Sequence, residues 1–322
     1  MRAVRFAVLL LGLVCGSLPA FAADKFPTRP IKFVVGFLAG GPNDTIARIF
    51  CDWLQPHLGA PCVVENKVGQ GGMIAAKSVI DSPPDGYTIM FVAPNNAIGQ
   101  SLYKSLPFNH VRDTTPIAGT MQLANMMVVP PSLPVKTVAE FIAYGKANPG
   151  KLTFASSGNG TSVHMSGELF KFMTGLDIVH VPYRGAGPAL TALLANETQL
   201  MMATTPVALP QMKAGRLIAL ATTGLKRSSL APEIPTVAEA GYPGFEADTW
   251  YGMLAPAKVP PALVNQANAA VTKMLTQADF KERLAHEGAQ PAGGTPAQFA
   301  THIKSEIEKW AKIVRMAKVK IE

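Results

Sequence analysis

The residues best suited to chemistry fall in five short segments that mix glycine with hydroxyl, amide and cationic side chains. They are Leu38-Ala39-Gly40-Gly41-Pro42-Asn43-Asp44, Asn66-Lys67-Val68-Gly69-Gln70-Gly71-Gly72, Ala93-Pro94-Asn95-Asn96, Ser156-Ser157-Gly158-Asn159-Gly160-Thr161-Ser162 and Tyr183-Arg184-Gly185-Ala186-Gly187. Glycine lets a backbone approach a ligand closely. Where such a segment opens a helix, its first N–H groups have no helical partner and sit at the positive end of the helix dipole. The chemistry on offer is capture of an anion. One junction of this kind mostly caps a helix. Two sets, one in each half of the chain, have the means to close on an anion from both sides.

Covalent chemistry finds less support. Ser156-Ser157-Gly158 does not form a G-x-S-x-G nucleophile turn, and no G-x-x-x-x-G-K-[ST] occurs. His164 and Glu168, four apart on a predicted helix, are able to share a metal. No third ligand lies within sequence reach, which favours a capping or ligand-facing His164. Asp44 is either a helix-start acid or a contact for a ligand's donor group, and the residues alone favour capping. Met126-Met127 and Met201-Met202 read as core. No cofactor, metal or catalytic residue is expected.

The elements that must position these segments alternate between strand-length apolar runs and helix-period stretches. A strand at 31–37 leads into a helix with Ile46, Ile49, Phe50, Trp53 and Leu54 on one face. A short strand at 63–64, a helix at 73–80, the turn Pro83-Pro84-Asp85-Gly86 and a strand at 87–92 complete β-α-β-α-β. That is the pattern of a parallel sheet covered by helices. It restarts with strands at 126–129, 152–156, 178–181, 200–203 and 217–222. Its helices follow the capping box Thr137-Val138-Ala139-Glu140, span 162–174, and open around Pro188. After a strand at 250–255 the chain turns helical, from Pro260-Pro261 and again from the capping box Thr295-Pro296-Ala297-Gln298. Without a full sheet of their own, these late helices are expected to pack back on the first domain. The chain then crosses between domains near Val129 and near Trp250.

The start of the 322-residue chain reads as a secretory signal peptide. Arg2 and Arg5 precede an apolar core at 6–14, too short for a bilayer, and Ala20-Phe21-Ala22 places cleavage near Ala22. Val14 is too bulky to make Cys15 a good lipid-attachment site. Removing Arg2 and Arg5 leaves 27 of the 29 basic residues against 21 acidic, a net charge of +6. That charge is dispersed, without a run of Lys/Arg and aromatics, so no nucleic-acid surface is expected; it suits solubility and attraction for anions. Roughly 300 mature residues favour two domains. In an oxidising compartment Cys51 and Cys62 are expected to pair as a disulfide. No C-x-x-C redox motif occurs, and the two cysteines lack nearby histidines for a metal site.

In order and spacing, these residues resemble the extracytoplasmic receptors of tripartite tricarboxylate transporters, the Bug-type receptors, over nearly the whole mature chain. The marks are Phe26-Pro27-Thr28-Arg29-Pro30-Ile31, Gly40-Gly41-Pro42-Asn43-Asp44 with Ala47-Arg48, Val64-Glu65-Asn66-Lys67 with Gly69-Gln70-Gly71-Gly72, and Asp85-Gly86-Tyr87-Thr88. In the second half they are Ser157-Gly158-Asn159-Gly160-Thr161-Ser162 with His164, Val181-Pro182-Tyr183-Arg184-Gly185, Ala214-Gly215-Arg216-Leu217, Pro235-Thr236-Val237 and Trp250-Tyr251-Gly252.

The resemblance implies an α/β, two-lobed periplasmic-binding-protein fold of the type II, clamshell kind, each lobe a mostly parallel sheet flanked by helices. One lobe would comprise 23–125 and 250–322, the other 126–249, with the ligand cleft between them. It implies a small carboxylate held by Gly40, Gly41, Asn43, Asp44 and Asn95 on one lobe, and by Ser156, Gly160, Thr161 and His164 on the other. Tyr183 and Arg184 come second. Two departures bear on the site. A proline usual near the start of the first loop is replaced by Gly36-Phe37-Leu38-Ala39, which brings Leu38 to the ligand. The strand before Pro206 often ends in a cleft-facing aspartate, and here Thr204 stands in Met202-Ala203-Thr204-Thr205. An amino acid is thereby disfavoured, and a plain carboxylate, aromatic or dicarboxylic, is expected. The implied partners are membrane permease subunits, met by a monomeric receptor in the periplasm. The alternatives are an exported α/β hydrolase or transferase using Ser156, Ser157 or His164, and a receptor serving only as a sensor input.

Overall fold

The computed structural model describes residues 26–319. The expected signal peptide, with Arg2, Arg5, Cys15 and Ala22, lies outside the described residues. The first lobe is built from β1 (Ile31–Val35), α1 (Pro42–Leu58), β2 (Cys62–Asn66), α2 (Met73–Ile80), β3 (Thr88–Val92), α3 (Pro94–Leu102), α4 (His110–Asp113) and β4 (Thr114–Leu123). The second holds β5 (Asn125–Val129), α5 (Val138–Ala147), β6 (Leu152–Ser156), α6 (Ser162–Thr174), β7 (Ile178–Pro182), α7 (Ala186–Leu194), β8 (Leu200–Thr204), α8 (Thr205–Lys213) and β9 (Ile218–Thr222). The chain then returns through β10 (Thr249–Pro256), α9 (Pro261–Thr276), α10 (Ala278–His286), β11 (Ala289–Pro291) and α11 (Pro296–Met316).

The sheets run β11-β4-β10-β3-β1-β2 and β7-β6-β8-β5-β9. β1 pairs in parallel with β2 and β3, and β6 with β7 and β8. Both sheets are nevertheless mixed. β10 is antiparallel to β3 and β4, and β5 is antiparallel to β8 and β9. The reason lies in the connectivity. The parallel strands end at the cleft, whereas β5 and β10 enter from the other lobe at the cleft and must run away from it.

β4 escapes a reading of the sequence because Pro116 and Gly119 argue against a strand. The ladder accommodates them: Gly119 faces Gly252 and Pro116 faces Leu254, beside register shifts at Tyr251/Gly252 and Met253/Leu254. α1 buries Ile46, Phe50 and Leu54 as its periodicity requires, with Ile49 and Trp53 half-buried. Cys51 of α1 and Cys62 of β2 are joined, their Cα atoms 5.4 Å apart. α9 packs on α1 and β4, and α11 on α3 and β4. The two capping sequences differ in detail. Thr295 and Gln298 satisfy each other's backbone N–H groups. Thr137 accepts from the Glu140 N–H, but the Glu140 carboxylate accepts from Lys136 rather than from Thr137.

Candidate functional site

A cavity of about 510 Å³ opens between the two sheets, where α1, α3, α6 and α7 all begin. Pro42 and Pro94 open α1 and α3 at their first positions, where the missing N–H is no loss. Beyond those prolines, Asn43, Asn95, Ser162, Val163 and Ala186 are first-turn residues that line the cavity. The N–H groups of these residues have no partner within their helices. Four positive helix ends therefore converge on one space, two from each lobe.

The side chains add to this. Tyr251 donates its hydroxyl to Asn43 Oδ1 at 2.9 Å, which leaves the Asn43 amide nitrogen for a ligand. Burial holds the Tyr251 phenol well above its ordinary range, so it stays a donor. The Asn95 side chain donates to the Gly71 carbonyl at 2.7 Å, which leaves its second N–H and its oxygen. That bond fixes a tight junction. A Cβ on Gly36 would lie 2.5 Å from Gly72 Cα, and Gly72 itself has φ +93°, so both positions require glycine. Thr204 Oγ1, at the end of β8, is buried without a partner. Among the described residues, the lining includes Phe37, Leu38, Val68, Tyr103 and Met201 as apolar wall, no aspartate or glutamate, and Arg184 as its charged residue.

Of the residues singled out from the sequence, Leu38, Gly41, Asn43, Asn95, Thr161, Tyr183 and Thr204 line this cavity, as does Arg184. Gly40, Asp44, Ser156, Gly160 and His164 are not among its lining residues. Asp44 is 2% exposed and accepts from the Gly40 N–H, Arg48 Nε and Asn66 Nδ2. Burial would raise its pKa, but these hydrogen bonds and the Arg48 charge outweigh it and hold the carboxyl below its usual range. His164 accepts from the Gly160 N–H and stacks on His180. Ser156 is wholly buried, with its hydroxyl 2.6 Å from His180 Nε2.

Thr249 and Tyr251 went unnoticed in the sequence although Trp250-Tyr251-Gly252 stood out. Alternation along β10 was the available signal: Thr249 and Tyr251 share the cavity face, while Trp250 turns away to donate to Glu306. Tyr103 carried no signal, since it reaches the cavity only through the packing of α3. The lobes touch beside the cavity. The Asn159 carbonyl lies 3.2 Å from the Cβ position of Gly71, and Leu102 Cδ2 lies 3.1 Å from that of Gly160.

Residues 46–319 match the family described as "Tripartite tricarboxylate transporter family receptor". Protein BugT of Bordetella pertussis is 35% identical over 303 residues, 94% of this chain and 93% of its own length. Among solved structures, Rpa4515 of R. palustris with adipate superposes with a TM-score of 0.87 at 35% identity, covering 92% of this chain and 99% of that one. MatC of Rhodopseudomonas palustris, with bound malate, gives 0.83 at 32% identity, covering 90% of this chain and all of its own.

Proposed function

This chain belongs to the tripartite tricarboxylate transporter receptor family, and from that premise we propose that it captures a small plain carboxylate in the periplasm and delivers it to membrane permease subunits. The observation that carries the reading is the cavity itself. Four helix amino ends and Arg184 face a space lined by no acidic side chain, an environment that favours an anion and offers an ammonium group no counter-charge. The apolar wall of Phe37, Leu38 and Val68 suits the body of a dicarboxylate or an aromatic acid.

In this reading the receptor is a monomer, exported by a signal peptide cut near Ala22, with 23–125 and 250–322 as one lobe and 126–249 as the other. Leu38, Gly41, Asn43, Asn95, Thr161, Tyr183, Arg184 and Thr204 contact the solute, and Gly40, Asp44, Ser156, Gly160 and His164 support them. The mechanism is a population shift: a solute touching both lobes binds the closed form better and so favours it.

An exported hydrolase is the second reading, and the short contact between Ser156 and His180 is what favours it. Against it, Ser156 is wholly buried outside the cavity lining, and its oxygen already accepts from the Gly158 N–H. Thermal shift with a panel of carboxylates headed by adipate and malate, against sugars and cations, tests the receptor reading. Stabilisation by acids alone is expected. Stabilisation by sugars or cations and by no acid would sink it.

A further inference from the structure

Two imidazoles pack behind the loop at 157–161. His164, in the first turn of α6, and His180, in β7, stack with ring centroids 4.0 Å apart, and Phe154 of β6 covers His180 at 4.8 Å. Neither ring lines the cavity. What they hold is the loop. The Gly160 N–H donates to His164 Nδ1 at 3.1 Å. The Gly158 N–H donates to Ser156 Oγ at 3.1 Å, and that oxygen lies 2.6 Å from His180 Nε2.

The contact with the Gly160 amide fixes the His164 proton. A ring nitrogen that accepts from an amide cannot carry a hydrogen, so the His164 proton is on Nε2. Ser156 Oγ has two acceptors for its own hydrogen, His180 Nε2 at 2.6 Å and the Gly158 carbonyl at 3.3 Å. We assign it to the shorter bond, which puts the His180 proton on Nδ1. Both rings are then neutral acceptors. Burial first, then the neighbouring ring and the Lys171 ammonium, push His164 down to about 3; burial and Lys171 push His180 down to about 4. Lys171 and Glu168 of α6 are the charged groups that face the pair. Glu168 Oε1 is 3.9 Å from His164 Nε2, too far for a hydrogen bond, and it pairs instead with Lys171 at 3.4 Å. β6 and β7 contribute no other ionisable side chain.

We propose that His164 and His180 are positioning residues, holding the Gly160 N–H directly and the Gly158 N–H through Ser156, and so setting the shape in which the loop meets the solute. Two of the loop's amides are thereby turned away from the cavity. Gly158, Asn159 and Thr161 are left to face it, with the free amides of Ser162 and Val163 behind them. This goes beyond the carboxylate reading and does not depend on which solute binds.

The test is made on the mature wild-type protein and two variants. Long-range nitrogen–proton NMR of the wild type is expected to show bare Nδ1 in His164 and bare Nε2 in His180. His164→Leu removes the acceptor at similar bulk, and His164→Asn returns an acceptor oxygen to the side chain. Hydrogen exchange at the Gly160 amide is expected to quicken at least about ten-fold in the leucine variant, and to recover in the asparagine one, with β1 amides unchanged. A proton on His164 Nδ1, or unaltered Gly160 protection in His164→Leu, would overturn the proposal. Should the leucine variant fail to fold, the wild-type ring signals decide alone.

Discussion

Asp44 shows how far a residue's neighbours in sequence can mislead. It sits beside glycines at a helix start, where an acid serves as a cap or meets a ligand. Instead its carboxylate gathers the Gly40 N–H, Arg48 and Asn66, and Arg48 also reaches Asn66 Oδ1 at 3.3 Å. Arg48 was within reach of sequence reasoning, since i and i+4 share a helix face. Asn66 was not, because it arrives from β2. The arrangement braces the first cavity loop from outside. Asp44→Asn is expected to lower stability by about 1–3 kcal/mol at neutral pH, because it leaves buried and charged donors poorly matched. The sign with pH follows from the lowered carboxyl. Its contribution is present above the ordinary aspartate value of about 3.9 and is lost as pH falls through the folded value. Urea unfolding at neutral and acid pH checks this. A gap between variant and wild type that widens on acidification would contradict it.

At the scale of elements, legibility followed local pattern. The helix over 162–174 was readable to its ends, because Thr161 caps it and Gly175 stops it with φ +68°. β4 was not readable, since Pro116 and Gly119 are tolerated only through bulges in β4 itself, where Thr120 and Ile117 are passed over in the pairing with β10. The join between α1 and β2 is intermediate. The cysteines were visible as a pair, but their placement depends on α1 lying over β2. The bond closes a loop with a sequence separation of 11. Reduction is expected to lower unfolding stability by about 2–3 kcal/mol, from the restored freedom of the unfolded loop. Intact mass after alkylation of the mature protein without reductant should be unchanged, and two labelled thiols would refute the pairing.

Asp248, in the lead-in to β10, belongs to the same scale. Burial first, and then the Glu246 charge, raise its carboxyl to about 7, with Lys309 and the Thr223 hydroxyl pulling the other way. Between the unfolded value of about 3.9 and the folded one, the unfolded chain loses a proton that the native chain keeps. Native stability therefore falls as pH rises through that window. Asp248→Asn should match wild type near about pH 4 and exceed it near about pH 8, by roughly 2–4 kcal/mol. Equal stability of the two proteins on the alkaline side would count against the raised carboxyl.

For the whole molecule, the decisive contacts join residues about a hundred positions apart, which no local pattern announces. Asn125 and Thr223 exchange backbone and hydroxyl hydrogen bonds. The Asn125 side chain donates to the Ala247 carbonyl at 3.0 Å and accepts from Thr249 at 2.9 Å. Thr249 in turn meets Ser162 at 2.9 Å on the cavity wall. The two crossing strands and the cavity are thus one buried polar assembly, and a change in lobe angle must pass through it. With the lobes touching at Gly71 and Leu102, a solute bridging both lobes would favour this form over one in which they part. Without solute, that form keeps the converging helix ends but lacks the anion they favour, so a more open population is expected. Small-angle scattering should therefore show the radius of gyration falling when a carboxylate that stabilises the protein in thermal shift is added. Asn125→Ala, by releasing Ala247 and Thr249, should widen the solute-free distribution and weaken binding of that carboxylate together. A radius of gyration unchanged by the bound carboxylate would mean that the lobes close without help from the solute.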